Sequence, residues 1–140
     1  MRKIYHSFIT KEEVISLESC KREVLGNNNK VLVKILNKLK KDFDFSVKKE
    51  SYCLMEHMPG GHQWHRDIGV SNHMSWCEVG ISILIKEPIS GGNTYYADDD
   101  KETNKTKIER GLYDLIAHTS DEWHMVEPHK GKREVFLIFI

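Results

Sequence analysis

Residues 112–140 read LYDLIAHTSDEWHMVEPHKGKREVFLIFI and contain three short apolar runs separated by polar turns. The runs at 112–117, 122–126 and 133–140 have the length of β-strands, and Pro128 and Gly131 interrupt the chain between the last two. The final run is almost wholly apolar, which is typical of a strand covered on both faces. This stretch predicts a β-sheet fold whose last strand lies in the interior.

The middle of the chain adds further strands to this sheet. Between 79 and 86, Val79, Ile81, Ile83 and Ile85 occupy every second position, which is the period of a strand. Similar short runs predict strands at 45–49, 52–58, 62–67 and 93–97. By contrast, the stretch DDDKETNKTK at 98–107 is too polar to pack and is expected to form a mobile loop.

The N-terminal part of the chain has helical patterns. Thr10 and Glu13 have the spacing of a capping box, and a first helix is expected over 11–22. A second, amphipathic helix is indicated by apolar residues at helical spacing, namely Leu32, Ile35, Leu36 and Leu39. The lysines around it could form a polyanion-binding patch or a solvated face. No aromatic residues are interleaved with them, which favours the solvated face.

Length and composition predict one domain over 1–140, with a helical lead-in at 1–42 and a β core at 43–140. The chain has 140 residues, 39% hydrophobic and 30% charged, with zero formal net charge. This balance gives no general attraction to nucleic acid or a membrane surface. No secretion signal or membrane-spanning run is recognisable. Three widely spaced cysteines (Cys20, Cys53 and Cys77) fit no disulfide framework, so a reducing, cytoplasmic setting is expected.

Three residues on predicted strands form a candidate metal site. His65 and Asp67 are two positions apart, so a strand would present both side chains on one face. His124 lies on another predicted strand. Two imidazoles and one carboxylate form a facial triad typical of non-haem Fe(II) oxygenases. Catalytic zinc sites use the same ligand types, so the ligand set alone does not select iron.

A fourth residue, Arg133, begins the apolar final strand. A buried guanidinium needs an anion, and its planar shape suits a carboxylate. The distal carboxylate of a dicarboxylic ligand would satisfy it.

From Tyr52 to Ile140 the sequence resembles the double-stranded β-helix (jelly-roll, cupin-like) domain of the Fe(II)/2-oxoglutarate oxygenases, nearest to their prolyl 4-hydroxylase-like branch. Five motifs in family order carry the resemblance: Met58-Pro59-Gly60-Gly61 before His65-Arg66-Asp67, Gly91-Gly92-Asn93-Thr94-Tyr95, Gly111-Leu112-Tyr113-Asp114-Leu115, His124-Met125-Val126-Glu127-Pro128, and Gly131-Lys132-Arg133. The implied fold is mainly β, a double-stranded β-helix buttressed by two N-terminal α-helices.

The resemblance implies a dioxygenase that hydroxylates a C–H bond while converting 2-oxoglutarate to succinate. Fe(II) would be bound by His65, Asp67 and His124, and Arg133 would bind the 2-oxoglutarate tail. O₂ is the other co-substrate, and the resemblance leaves room for ascorbate. The substrate favoured by analogy is a prolyl residue of a peptide or protein, with contacts expected from loops 68–78 and 98–110.

Some positions depart from the family pattern. His57 stands where many relatives have a co-substrate-binding Tyr, and it is carried as a co-substrate-binding candidate together with Tyr95. Phe139 occupies the position of a second Arg in the nucleic-acid demethylase branch, which argues against base repair. Two alternatives stay open: a cupin-like metal-binding module without oxygenase activity, and a hydroxylase of free amino acids or small metabolites.

Overall fold

The structure is a computed structural model that describes residues 1–18, 29–47, 51–69 and 73–140, with the side chains of 51–55 excepted. In chain order the elements are β1 (Arg2–Tyr5), α1 (Lys11–Glu18), α2 (Lys30–Leu39), β2 (Ser51–His57), β3 (His62–His65), β4 (Val79–Lys86), β5 (Ser90–Gly91), β6 (Thr94–Ala97), β7 (Thr106–Ile108), β8 (Leu115–Thr119), β9 (Trp123–Val126), β10 (His129–Lys130) and β11 (Arg133–Phe139). The described chain is therefore mainly β, as expected.

The strands form two principal antiparallel sheets. The larger has the order β1-β8-β4-β11-β2, and the smaller has the order β3-β9-β6-β7. Strands β5 and β10 form a separate short pair. The predicted final strand is confirmed as β11, which lies between β4 and β2 inside the larger sheet.

Alternation along β8 and β11 gives the larger sheet two covered faces. Leu115, Ala117, Phe136 and Ile138 join the hydrophobic core together with the helices. The intervening side chains of Ile116, Leu137 and Phe139 line a cavity on the other side. A strand with apolar residues on both faces needs two such coverings, so the prediction from the final run is confirmed.

The two helices supply the apolar cover of that core. The capping box of α1 is present, because Thr10 N–H donates to Glu13 Oε1 at 3.0 Å and Glu13 N–H donates to Thr10 Oγ1 at 3.1 Å. Asn29 is the N-cap of helix α2, and its side chain accepts from the N–H groups of Val31 and Leu32. The last part of the predicted first helix, 19–22, lies outside the described residues.

The lysines of α2 make local contacts with neighbouring elements. Lys34 pairs with Glu13 at 2.8 Å, donates to the carbonyl of Phe8 and lies over its ring. Surface pairs of this kind contribute little to stability, about 0–1 kcal/mol.

Three expectations about elements differ in part from the structure. The lead-in 1–42 is not purely helical, because β1 precedes the helices and pairs with β8 at the edge of the larger sheet. Residues 45–47 form no strand, and 48–49 lie outside the described residues. The stretch 98–107 is not simply a loop: its last residues begin β7, which pairs with β6, and Asp99 accepts hydrogen bonds from Lys101 and Thr103 within a compact turn.

The predicted strand 112–117 begins three residues later, at Leu115. Tyr113 has a positive φ of 67°, which an L-residue in a strand does not adopt. The preceding turn is held by the Asp114 carboxylate, which accepts from the N–H groups of Gly111 and Ser7 at 2.8 Å each. Among the described residues, no helix is long and apolar enough to cross a membrane.

Candidate active site

The cavity between the two sheets is lined by five of the six residues that the sequence predicts for the site. Its volume is about 360 Å³, within the range of roughly 300–1,000 Å³ usual for small-molecule sites. His65, Asp67, His124 and Arg133 all line it, together with His57. Apolar side chains such as Ile81, Val126 and Leu137 complete the walls.

The predicted triad converges in this cavity. One donor atom from each of His65, Asp67 and His124 lies within 4.8 Å of the others. His65 and His124 are cross-strand partners in the register of β3 and β9, and Asp67 follows β3 by two residues. The pairing of β3 with β9, and the position of Asp67 just beyond β3, bring the three ligands together.

Backbone carbonyls fix the tautomers of both imidazoles. His65 Nδ1 lies 2.7 Å from the carbonyl of Gln63, and His124 Nδ1 lies 2.9 Å from the carbonyl of Glu122. Because a carbonyl can only accept, each Nδ1 carries a proton, and in the neutral imidazole Nε2 is then the acceptor. Burial lowers the pKa of His65 to about 4, which keeps this imidazole neutral at physiological pH.

The electrostatics of Asp67 suit a bound cation. Burial alone would raise the pKa of this carboxyl, but the facing imidazoles of His118 and His124 hold it well below its ordinary value. Asp67 Oδ1 lies 3.4 Å from His124 Nε2. When His124 carries its proton on Nδ1 only, both atoms are acceptors, and a divalent cation between them would satisfy both. The donor set fits a divalent metal ion.

His118 is a functional residue to which sequence reasoning assigned no role. It lies on β8, and its Nε2 is 2.7 Å from Asp67 Oδ2. Its Nδ1 is 2.7 Å from the hydroxyl of Tyr96. Burial raises the pKa of Tyr96, so the phenol stays protonated and donates to Nδ1. His118, whose pKa is lowered by burial and by His124, is then neutral and donates from Nε2 to the carboxylate.

Gly80 provides the space for this contact. A Cβ at Gly80 would lie 1.8 Å from Asp67 Oδ2 and 2.7 Å from His118 Nε2. Atoms at such distances overlap, so any side chain at this position on β4 would displace the carboxylate.

Arg133 is buried, with 2% of its surface exposed, as the sequence predicted. Its Nε donates to the carbonyl of Gly92 at 2.9 Å, Nη2 donates to Thr94 Oγ1 at 3.2 Å, and Nη1 contacts His57 Nδ1. Burial, followed by the positive charge of Arg133, lowers the pKa of His57 to about 3. His57 is therefore neutral, accepts at Nδ1 and carries its proton on Nε2.

Arg133 packs directly against Gly92, the second glycine of the Gly-Gly turn. Gly92 has a φ of +73°, and a Cβ there would lie 2.9 Å from Arg133 Cδ. Both the backbone conformation and the close approach require glycine. The motif read from the sequence thus positions the arginine.

Tyr95 is not at the position expected of a co-substrate contact. Side chains alternate along β6, and Tyr96 lines the cavity together with Thr94. The hydroxyl of Tyr95 instead bonds Glu127 Oε2 at 3.3 Å, and Lys105 lies over its ring. Of the two tyrosines, Tyr96 therefore lines the cavity and Tyr95 does not, and a co-substrate contact of Tyr95 stays a prediction.

No protein-family model matches the sequence, and no curated protein matches it either. A Pseudomonas putida prolyl-4-hydroxylase structure superposes with a TM-score of 0.71 at 11% identity, over 99% of this chain and 83% of that one. The fold is that of the prolyl 4-hydroxylases.

Two other solved structures agree. A Trichoplax adhaerens prolyl hydroxylase, in complex with a peptide fragment of the hypoxia inducible factor oxygen degradation domain, has a TM-score of 0.65 at 12% identity, over 99% of this chain and 82% of that one. A 2OG-Fe(II) oxygenase family protein from Burkholderia pseudomallei has a TM-score of 0.55 at 14% identity, over 85% of this chain and 61% of that one.

Proposed function

We propose that this protein is a non-haem Fe(II)- and 2-oxoglutarate-dependent dioxygenase that hydroxylates a C–H bond. One observation carries the proposal: a cavity of about 360 Å³ holds a His–Asp–His donor set and, in the same wall, a buried arginine. Among the described residues, no carboxylate lies within ion-pair distance of Arg133. A chelating ligand with a distal carboxylate would satisfy both groups at once.

In this proposal, each group of the chain has a defined task. His65, Asp67 and His124 bind Fe(II), which when bound supplies the activation of O₂ coupled to decarboxylation of 2-oxoglutarate to succinate. Arg133 binds the distal carboxylate of the co-substrate, and His57 donates from Nε2 in place of the tyrosine of many relatives. Apolar walls exclude water from the reacting centre. The proposal also includes ascorbate as an accessory compound of the reaction.

The architecture proposed for this task is a double-stranded β-helix. The two antiparallel sheets and the cavity between them support it. We further propose that 1–140 acts as a single domain, with the helices as its buttress, in a reducing, cytoplasmic setting.

The proposed substrate is a prolyl residue of a peptide or protein. This proposal is supported by the likeness to prolyl hydroxylases, one of which is bound to a peptide fragment. In this chain His62, Arg66, His73 and Met74 line the cavity on the side of the metal-binding residues. Within the predicted substrate loops, 70–72 lie outside the described residues.

Turnover with peptides tests the proposal. The Fe(II)-loaded protein would be incubated with 2-oxoglutarate, O₂ and a library of proline-containing peptides, and products would be read by mass spectrometry. We expect one oxygen atom to be added at proline in step with succinate formation, and His65→Ala to abolish both. Oxidation of free amino acids but not of peptides would favour the small-metabolite alternative.

The metal-binding module without oxygenase activity is less well supported. A metal store needs the triad alone, and it does not need a buried arginine beside the metal-binding residues. Burial of an uncompensated charge is unfavourable by several kcal/mol, so Arg133 indicates an anionic ligand. Metal binding without any 2-oxoglutarate binding would support the module instead.

A further inference from the structure

A second arginine, Arg110, lines the cavity that holds Arg133 and the metal-binding residues. It lies between β7 and β8, immediately before the turn held by Asp114. Its Nη1 donates to Ser82 Oγ at 3.2 Å, and its Nη2 donates to the carbonyls of Ser82 at 3.1 Å and Asp114 at 3.3 Å. Its Nε is buried and has no hydrogen-bond partner among the described residues.

The two arginines leave this end of the cavity positively charged. No carboxylate of the described residues forms an ion pair with either one. Burial lowers the pKa of each guanidinium to about 10, and the charge of Arg110 contributes to the lowering at Arg133. Both stay protonated at neutral pH. Asp114 forms no ion pair with Arg110, although its charge raises the pKa of that guanidinium. Two buried like charges without an ion-pair partner are unfavourable, and an anionic ligand in contact with both would offset that cost.

The positions of the two side chains indicate a single shared ligand. A second cavity of about 250 Å³ lies against the first, and Arg110, Arg133 and Thr94 line both. The arginines therefore stand together at one end, with Thr94 beside them. The Asp67 carboxylate also lies in the main cavity, but it already bonds His118 and faces His124, so it does not pair with the arginines.

The hydrogen-bond count agrees with a carboxylate ligand. A guanidinium has five N–H donors. Arg133 uses three, for Gly92, His57 and Thr94, and 5 − 3 leaves two. Arg110 also uses three, two for Ser82 and one for Asp114. Its Nε is closed to solvent, so one Nη1 donor remains for a ligand. The three remaining donors of the two arginines fit within the roughly four acceptor positions of one carboxylate.

We propose that Arg110 is a second co-substrate-binding residue, which holds the distal carboxylate of 2-oxoglutarate jointly with Arg133. This inference rests on the proposed function and deepens it. It gives the site a strict preference for a dicarboxylic 2-oxo acid, because loss of the distal carboxylate leaves two buried charges uncompensated. The competing role for Arg110 is structural, since its bonds also join β4 to the turn before β8.

Calorimetric titration under anaerobic conditions separates these roles. The Fe(II)-loaded protein would be titrated with 2-oxoglutarate and with 2-oxopentanoate, which has the same chain length but no distal carboxylate. The variants are Arg110→Gln and, as a matched control, Lys107→Gln, which removes a cation that pairs with Glu109 on the surface and lines neither cavity. Thermal unfolding of each variant reports on folding.

For Arg110→Gln we expect 2-oxoglutarate affinity to fall by roughly tenfold or more, since hydrogen bonds to charged groups contribute about 1.5–3 kcal/mol. Affinity for 2-oxopentanoate should be unchanged, and Lys107→Gln should bind both ligands as the unmodified protein does. An equal loss for both ligands, or no loss for either, would overturn the role of Arg110. If the unmodified protein binds no 2-oxoglutarate, the proposed function itself fails. Selective binding that Arg110→Gln leaves intact refutes only this inference.

Discussion

At the scale of single residues, the candidate metal site depends on how Asp67 is held. The carboxylate follows β3 and is oriented by His118, which is in turn oriented by Tyr96 through bonds of 2.7 Å each. Such partners of a metal ligand fix its geometry and its charge. Tyr96 lies on β6, His118 lies on β8 and Asp67 follows β3, so the chain of bonds depends on the assembled fold.

Removing a link in this chain should weaken metal binding. For His118→Asn and Tyr96→Phe we expect metal affinity to drop by roughly 10–100-fold, the usual effect of losing such partners. Calorimetric titration with Fe(II) under anaerobic conditions would measure it. The matched control is Tyr95→Phe, because that hydroxyl bonds Glu127 outside the cavity. Equal affinities for Tyr96→Phe and Tyr95→Phe would show that the contact has no influence on the metal.

Adding a single methyl group at Gly80 should reduce metal affinity even more than the loss of His118 or of the Tyr96 hydroxyl. In Gly80→Ala the new Cβ would overlap the Asp67 carboxylate, so we expect metal binding to be lost while the strands still form. Circular dichroism would follow the fold and titration the metal. Gly60→Ala is the control, because a Cβ there meets nothing within 4 Å. Wild-type metal affinity in Gly80→Ala would contradict the close packing described here.

At the scale of elements, the Asp114 turn connects the start of the chain to the larger sheet. The buried carboxylate accepts from the N–H groups of Ser7 and Gly111 and contacts His6 Nδ1 at 2.8 Å. Burial alone would raise the pKa of Asp114, but these hydrogen bonds lower it below its ordinary value. The turn thus positions β8, which carries His118, and the segment that carries Arg110.

Asp114 should make stability depend on acid pH. A carboxyl whose pKa is lowered on folding contributes stability that is present above its unfolded pKa, about 3.9, and is lost as pH falls through the folded pKa. Asp114→Asn should therefore lower the free energy of unfolding by about 1–3 kcal/mol at pH 7. The difference should shrink below pH 4.

Urea unfolding at several pH values would measure this difference. The control is Asp100→Asn, which changes an exposed residue and should leave the free energy of unfolding nearly unaltered. A stability difference for Asp114→Asn that stays constant between pH 7 and pH 3 would contradict the assignment of an ionised, hydrogen-bonded carboxylate.

At the scale of the whole molecule, the site is a cavity between two sheets, with the helices on the outer face of the larger one. The sequence predicts most of this. Strand periodicity predicts β4 and β11, and the spacing of His65 and Asp67 predicts that they share a site, because these signals are local. His124 lies far along the chain, and it joins the triad only through its own predicted strand and the resemblance to the oxygenases. The apolar character of the last strand is sufficient to predict its interior position and the burial of Arg133.

The remaining features depend on contacts between distant parts of the chain. Strand β1 is only four residues long, and it forms by pairing with β8 rather than by its own propensity. Strand β7 begins in a polar stretch with no strand pattern of its own, and it likewise forms by pairing with a neighbouring strand, β6. Nothing local distinguishes Tyr96 from Tyr95, or marks His118 and Arg110, because their roles arise only when the strands are assembled. Alternation along β6 does predict that one of the two tyrosines faces inward.

The most direct test of the central claim is anaerobic titration of the Fe(II)-loaded protein with 2-oxoglutarate, followed by visible absorption. We predict a metal-to-ligand charge-transfer band toward the red end of the spectrum. The band should be absent in His65→Ala and should require more 2-oxoglutarate in Arg133→Ala. Iron binding without any such band would contradict the co-substrate assignment, and the site would then be a metal-binding module.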